Sequence, residues 1–115
     1  MVALVKLFSA VALATVLALG SSAAFAQEPT TADLYRVKCQ QCHMADGNAP
    51  IVPMNFADGK WIHGSKSAEV EKVITDGVPG TAMLSFKAQF TPEQIAALAE
   101  YVRSFDKSLK TAKKK

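Results

Sequence analysis

The chain has 115 residues, half of them hydrophobic, with 13 basic and 10 acidic side chains and a formal net charge of +3 at pH 7. That length bounds it to one small domain. Residues 27–105 carry seven basic against nine acidic side chains, so they offer no basic face for nucleic acid. No Gly-rich phosphate loop, paired-carboxylate arrangement, nucleophile motif or internal repeat points to an enzyme.

Met1 to Lys6 is a short segment with one positive charge, and Leu7 to Leu19 is an apolar run rich in Ala, Val and Leu. Gly20 to Ala26 is a small-residue stretch ending in Ala24-Phe25-Ala26. This order is that of a secretory signal peptide with an A-x-A cleavage site. The apolar run is about 13 residues, short of the roughly 20 that cross a bilayer as a helix. Residues 1–26 are therefore expected to be cleaved, placing the mature chain in the periplasm without stable membrane insertion. Cleavage leaves 89 residues, Gln27 to Lys115, at a formal charge of +2. Such a chain can fold alone, but with a thin core.

Thr30, with Asp33 three residues on, is a variant capping box. It opens a helix expected from about Thr31 to Gln41, which delivers Cys39-Gln40-Gln41-Cys42-His43. Positions i and i+3 of a helical turn point the same way. Cys39 and Cys42 can therefore reach two vinyl groups along one porphyrin edge and close thioether bonds. His43 is then tethered beside the ring as the proximal iron ligand. Tyr35 lies one turn before Cys39 and shares its face, the haem or core side.

Other uses of these residues are open. Two cysteines in an exported chain can form a disulfide, although closing so small a loop gains little chain entropy. A redox Cys-x-x-Cys pair sits in a strand–helix setting, which is missing here. Zinc asks for four protein ligands, and His63 is the further candidate that stands out. One covalently held haem c accounts for both thiols and the imidazole, and it supplies the centre that the thin core lacks.

After His43, Asp46-Gly47-Asn48 is a turn signal, and Pro50 and Pro53 keep the backbone extended. Met44 to Lys60 reads as a loop wrapped around a haem face. One of its carbonyls, with Pro50 a candidate, is expected to accept Nδ1–H of His43. Trp61 is either a core filler or an indole N–H directed at a haem propionate. His63 is a surface residue or a competing iron ligand. Ser65 or Ser67 opens a second helix, with Glu69 and Glu71 in its first turn. Val70, Val73 and Ile74 form its apolar stripe, and Gly77 and Pro79 end it.

Val78 to Phe86 is a turn that presents Met83 from a loop. A thioether is a soft ligand suited to haem iron, and His/Met ligation raises the reduction potential. Any Met can instead fill a core gap. Met44 is too close to His43 to reach the opposite haem face. Met54 is a lesser competitor, 11 residues from His43. Met83 lies 40 residues on, across a whole helix, which suits a loop closing over the far side.

The last helix is the best signposted. Thr91 is its N-cap, Pro92 its first residue, and Gln94 completes a capping box. Phe90 and Ile95 form a hydrophobic staple, and Ile95, Leu98, Val102 and Phe105 follow on one stripe with Ala99 beside it. Asp106 to Lys115 holds five lysines and one aspartate and reads as a frayed, solvated tail. The expected organisation is a leader over 1–26, a haem domain over 27–106 and a lysine-rich tail over 107–115.

These features together resemble the small class I c-type cytochromes of exported bacterial type. The matching residues are Leu34-Tyr35 ahead of CQQCH, the motif itself, VITDGVPGTAM with its Met, and Leu-Ala-Glu-Tyr-Val-Arg from Leu98 to Arg103. They cover nearly all of residues 31–105. The resemblance implies an all-α cytochrome c fold, with three main helices and long loops packed around one covalent haem. In that family the first and last helices cross closely, commonly at a Gly eight residues before the first Cys. Here that position is Thr31.

The resemblance further implies electron transfer at a partly exposed haem edge, by a monomer that meets redox partner proteins and is not itself an enzyme. A diffusible carrier with His43 and Met83 as axial ligands is the leading expectation. A dedicated electron acceptor of one exported dehydrogenase is the alternative. A haem enzyme or gas sensor needs an open iron position, which a Met83 ligand would close.

Overall fold

The computed structural model describes residues 25–112 together with Gly20 and Ser22. The leader expected over residues 1–26 therefore lies almost wholly outside the described residues, as do Lys113 to Lys115. Among the described residues the regular structure is helical, with no strand. No helix there is long and apolar enough to cross a membrane.

Helix α1 spans Thr31–Lys38. Its start is the expected capping box: Asp33 N–H donates to Thr30 Oγ1 at 3.2 Å, and Thr30 N–H donates to Asp33 Oδ2 at 3.2 Å. Two of the helix's unpaired N-terminal donors are thus satisfied. The helix stops at Cys39, whose φ of −120° and ψ of −38° leave the helical path, and a short helix α2 follows over Gln40–His43. The expected continuous helix from Thr31 to Gln41 is thus broken at the first cysteine and carried on to the histidine.

Helix α3 spans Ser67–Asp76 and ends on Gly77 at φ 72°. Lys66 occupies its N-cap position, and the Lys66 N–H donates to Glu69 Oε2 at 3.0 Å. Helix α4 spans Pro92–Arg103 with the capping box read from its sequence: Gln94 N–H donates to Thr91 Oγ1 at 3.2 Å, and Thr91 N–H to Gln94 Oε1 at 2.9 Å. Phe90 and Ile95, the staple pair, are both buried.

The core lies where α4 packs on α3 and crosses α1. Val70 and Ile74 of α3 meet Ile95, Leu98, Ala99 and Val102 of α4, with Phe90 and Tyr35 in the same cluster. Burying a side chain such as Leu98 contributes about 1.5–3 kcal/mol. The α1–α4 crossing is aromatic. The Tyr35 ring lies 5.1 Å from Tyr101 and 5.3 Å from Phe105, and Tyr101 meets Phe105 edge-on at 5.3 Å. Thr31 is half-buried, and the crossing is made by large rings one turn further along α1.

The stretch after His43 is an ordered loop with a 3-10 turn over Val52–Met54. Asn55 ties it together: its Nδ2 donates to Asn48 Oδ1 at 2.8 Å and to the Ala49 carbonyl at 2.9 Å. Its Oδ1 accepts from the Ala57 and Asp58 N–H groups at 2.8 and 3.0 Å. Gly47, at φ 70°, lies against Phe105 so closely that a Cβ there would sit 2.7 Å from the ring.

The C-terminal stretch differs from the expected solvated tail. Asp106 is only 2% exposed, and a helix α5 follows over Lys107–Ala112. Asp106 occupies its N-cap position: Oδ1 accepts the Ser108 N–H at 2.9 Å and the Ser108 hydroxyl at 2.6 Å. An aspartate buried at the end of α4 is tolerated because donors surround its carboxylate.

Candidate haem site

Helix α2 carries the attachment motif at the junction of α1 with the long loop. Cys39 is half-buried and Cys42 exposed, and both are free thiols. Burial, and secondarily the neighbouring Cys42, push the Cys39 thiol up to about 11, so it is neutral at pH 7.

The imidazole that follows is strongly oriented. His43 Nδ1 lies 2.7 Å from the Met54 carbonyl. A carbonyl can only accept, so Nδ1 carries the proton and Nε2 keeps its lone pair for a metal. Burial lowers the pKa of His43 below the usual histidine value, with the Met54 hydrogen bond opposing part of that effect. A neutral imidazole with one nitrogen committed is the form in which histidine ligates iron. The carbonyl in question belongs to Met54 and not to Pro50. The ring also stacks on Phe56, with centroids 4.4 Å apart and planes 19° from parallel.

The residue after His43 is strained. Met44 has φ 66° and ψ 160°, a region that side chains other than Gly rarely occupy. Its carbonyl is held by the Tyr35 hydroxyl, which donates at 2.6 Å, and its N–H donates to Gln40 O at 2.8 Å. Tyr35 is buried, and burial pushes its phenol pKa upward, so it stays a neutral donor. The deepest side chain of α1 therefore fixes the backbone beside the histidine.

Met83 is half-buried on a tight turn at the end of α3. Its carbonyl accepts the Val78 N–H at 2.9 Å, and its N–H donates to Thr81 Oγ1 at 3.1 Å. The turn is pinned to α3 by the Phe86 N–H on the Ile74 carbonyl at 3.1 Å and the Ser85 hydroxyl on the Thr75 carbonyl at 2.5 Å. Gly77 makes the close return possible, because a Cβ there would lie 2.6 Å from the Met83 carbonyl oxygen.

Trp61, expected as a core filler or as a donor to a propionate, is partly buried against the core and gives its Nε1–H to Asp106 Oδ2 at 2.7 Å. Its ring stacks on Phe56 at 5.6 Å and 21°. His63 is exposed. Among the described residues no three His, Cys, Asp or Glu side chains gather into a cluster that could hold a metal ion, whereas a structural zinc needs four such ligands.

The donor set fits a haem. Two thiols not bonded to each other precede a neutral imidazole with a free Nε2. Large apolar side chains near these residues in the chain stand open to solvent: Met44, Ile51 and Val52 after the motif, Ile62 beside Trp61, and Leu84 beside Met83. A small domain gains by covering such groups, and a porphyrin is a ring of suitable character. The roles of Asp106, Phe56 and Met54 escape sequence reading. Of these, only Asp106 carried a local signal, an aspartate two residues before a serine in an N-cap position.

Comparisons with known proteins agree with this chemistry. The family model for cytochrome c oxidase, cbb3-type, subunit III matches residues 26–102. The chain is similar to the Cbb3-type cytochrome c oxidase subunit CcoP of Rubrivivax gelatinosus, 34% identical over 71 residues, covering 62% of this chain and 23% of that protein. It is also similar to the Cbb3-type cytochrome c oxidase subunit FixP of Sinorhizobium medicae (strain WSM419), 32% identical over 81 residues, covering 64% and 28%. The chain thus spans between 23% and 28% of the length of the curated relatives it matches. Among solved structures it is similar to the KustC0563 c-type cytochrome, with a TM-score of 0.57 and 33% identity. That match covers 67% of this chain and 98% of the other.

Proposed function

Because the chain belongs to the cbb3-type cytochrome c oxidase subunit III family of c-type haem domains, we propose that it is a single-haem electron carrier with His43 and Met83 as axial ligands. Its fold is all-α and its cofactor is haem c, as in that family. The observation that carries the ligand reading is the 2.7 Å contact between His43 Nδ1 and the Met54 carbonyl, directly after the cysteine pair. It leaves Nε2 as the ring nitrogen with a lone pair to offer iron.

Bound haem c supplies a one-electron centre whose iron alternates between two oxidation states. The protein's residues do the rest. Cys39 and Cys42 would hold the ring beside α2, each by adding its thiol S–H across a vinyl group. His43 donates one nitrogen and is held in orientation by Met54 and Phe56. Met83 offers its sulfur from a turn whose backbone is closed by hydrogen bonds on both sides. A ligand held in this way moves little between oxidation states, and small reorganisation favours fast electron transfer. Trp61 contributes by packing under Phe56.

The carrier is proposed to act in the periplasm, as a monomer, between redox proteins. Residues 1–26 would serve as its cleaved export signal. A second reading follows from what the relatives are: the domain passes electrons to a cbb3-type oxidase, as one part of a longer electron path. Stopped-flow oxidation of the reduced protein by a cbb3-type oxidase, set against reduction of the oxidised protein by an exported dehydrogenase, separates the two.

Export with haem maturation tests the cofactor site. The expected product is a chain heavier by one haem that survives acid-acetone extraction, with Cys39→Ala and Cys42→Ala each losing one thioether. An unmodified mass with a Cys39–Cys42 disulfide, from a maturation-competent host, would overturn it.

A further inference from the structure

Asp106 is the one buried charged or polar residue among the described residues, and the chain invests heavily in it. One carboxylate oxygen takes the Ser108 N–H and hydroxyl at 2.9 and 2.6 Å. The other takes the Trp61 indole N–H at 2.7 Å, from a residue 45 positions away. A helix cap uses one oxygen. The second oxygen therefore has a purpose beyond starting α5.

That second oxygen grips the base of a column of rings. Trp61 stacks on Phe56 at 5.6 Å with planes 21° apart, and Phe56 stacks on His43 at 4.4 Å with planes 19° apart. Phe56 is itself fixed by its N–H on the Gly47 carbonyl at 2.8 Å. The Met54 carbonyl fixes the Nδ1 end of the imidazole, but a single hydrogen bond leaves rotation about that axis open. A stacked face removes it. The indole in turn can slide or tilt unless its N–H has a buried acceptor.

The geometry points to Asp106 as a positioning residue for the proximal imidazole, acting through the Trp61–Phe56–His43 column. The inference rests on the reading of His43 as the iron ligand. The plane of an axial imidazole sets how the unpaired electron of oxidised low-spin iron spreads over the macrocycle. Second-shell groups that orient a ligand tune the metal in this way. The start of α5 would thereby help to set the orientation of the imidazole, which a solvated tail could not do.

The test uses the full, haem-loaded protein in its oxidised form and reads the haem-methyl resonances by proton NMR. These report the orientation of the imidazole plane and do not depend on any redox partner. Asp106→Ala should shift the methyl pattern and abolish the slow exchange of the indole N–H. Trp61→Phe, which keeps an aromatic ring but no donor, should shift the pattern in the same sense. The double variant should move it no further. Ser108→Ala removes a donor from the same carboxylate but leaves the indole bond, so it should lower stability while the methyl pattern stays put.

If Asp106→Ala fails to fold, Trp61→Phe decides alone. An unchanged methyl pattern in Trp61→Phe, with the His43 ring protons showing the large shifts of an iron ligand, overturns the column and leaves the ligand reading intact. Unshifted His43 ring protons in the parent protein overturn the ligand reading and the column together.

Discussion

Replacing Gly77 by alanine is the sharpest test of how the Met83 turn is built. Gly77 has φ 72° and ψ −173°, a combination essentially confined to glycine. Holding alanine there costs about 1–3 kcal/mol. The added Cβ would also lie 2.6 Å from the Met83 carbonyl oxygen, 2.7 Å from the Leu84 carbonyl carbon and 2.7 Å from the Ser85 nitrogen. All three are backbone atoms, so the turn must retreat by several tenths of an ångström. That retreat strains the Val78–Met83 backbone hydrogen bond, a contribution of about 1 kcal/mol. The total is about 2–4 kcal/mol, which for a domain this size lowers Tm by roughly 10–25 °C. Thermal melts followed at the Soret band and by far-ultraviolet circular dichroism measure it. The far-red sulfur–iron band should weaken in parallel, because the displaced segment carries Met83, the proposed ligand. A Gly77→Ala protein with unchanged Tm and an undiminished far-red band would refute the reasoning.

Other outcomes follow from the same geometry. Met83→Ala should abolish the far-red band, lower the reduction potential and let cyanide or carbon monoxide bind, whereas Met54→Ala should do none of these, since Met54 serves His43 through its carbonyl. Optical titration with each ligand checks both. Tyr35→Phe removes the donor to the strained Met44 carbonyl and should cost about 1–2 kcal/mol, seen as a lower denaturant midpoint with unchanged slope. Asp106 predicts a pH effect with a definite sign. Burial pushes its carboxyl upward, but the bonds from Ser108, Trp61 and the Ser108 and Leu109 N–H groups outweigh that and leave it below the ordinary 3.8. A depressed carboxyl stabilises the fold above its unfolded value and loses that contribution as pH falls through its folded one. Asp106→Asn should therefore be less stable at neutral pH, with the gap closing below pH 3.8 in urea melts.

Features written within a few adjacent residues were determined by the sequence alone. The Cys39–Cys42–His43 spacing, the capping boxes at Thr30 and Thr91, the Gly77 stop and the apolar stripe of α4 each depend on neighbours at i+3 or i+4, where helix geometry dictates who meets whom. Family, fold class and haem c were legible for the same reason. The tertiary structure decided the pairings between distant segments. Nothing periodic marks Met54 as the partner of His43, because any loop carbonyl is chemically equal until the loop is folded. Trp61 packs against the core, as one of its two sequence readings has it, but the acceptor of its N–H, Asp106 across 45 residues, left no local sign. Asp106 itself looked like the start of a solvated lysine tail, and its burial follows only from the indole and the Ser108 donors that converge on it. Backbone strain at Met44 was equally invisible, because the Tyr35 hydroxyl that holds its carbonyl reaches over from α1. Local rules thus placed the proposed haem-binding residues along the chain, and long-range hydrogen bonds and stacking, which leave no periodic trace, set their orientation.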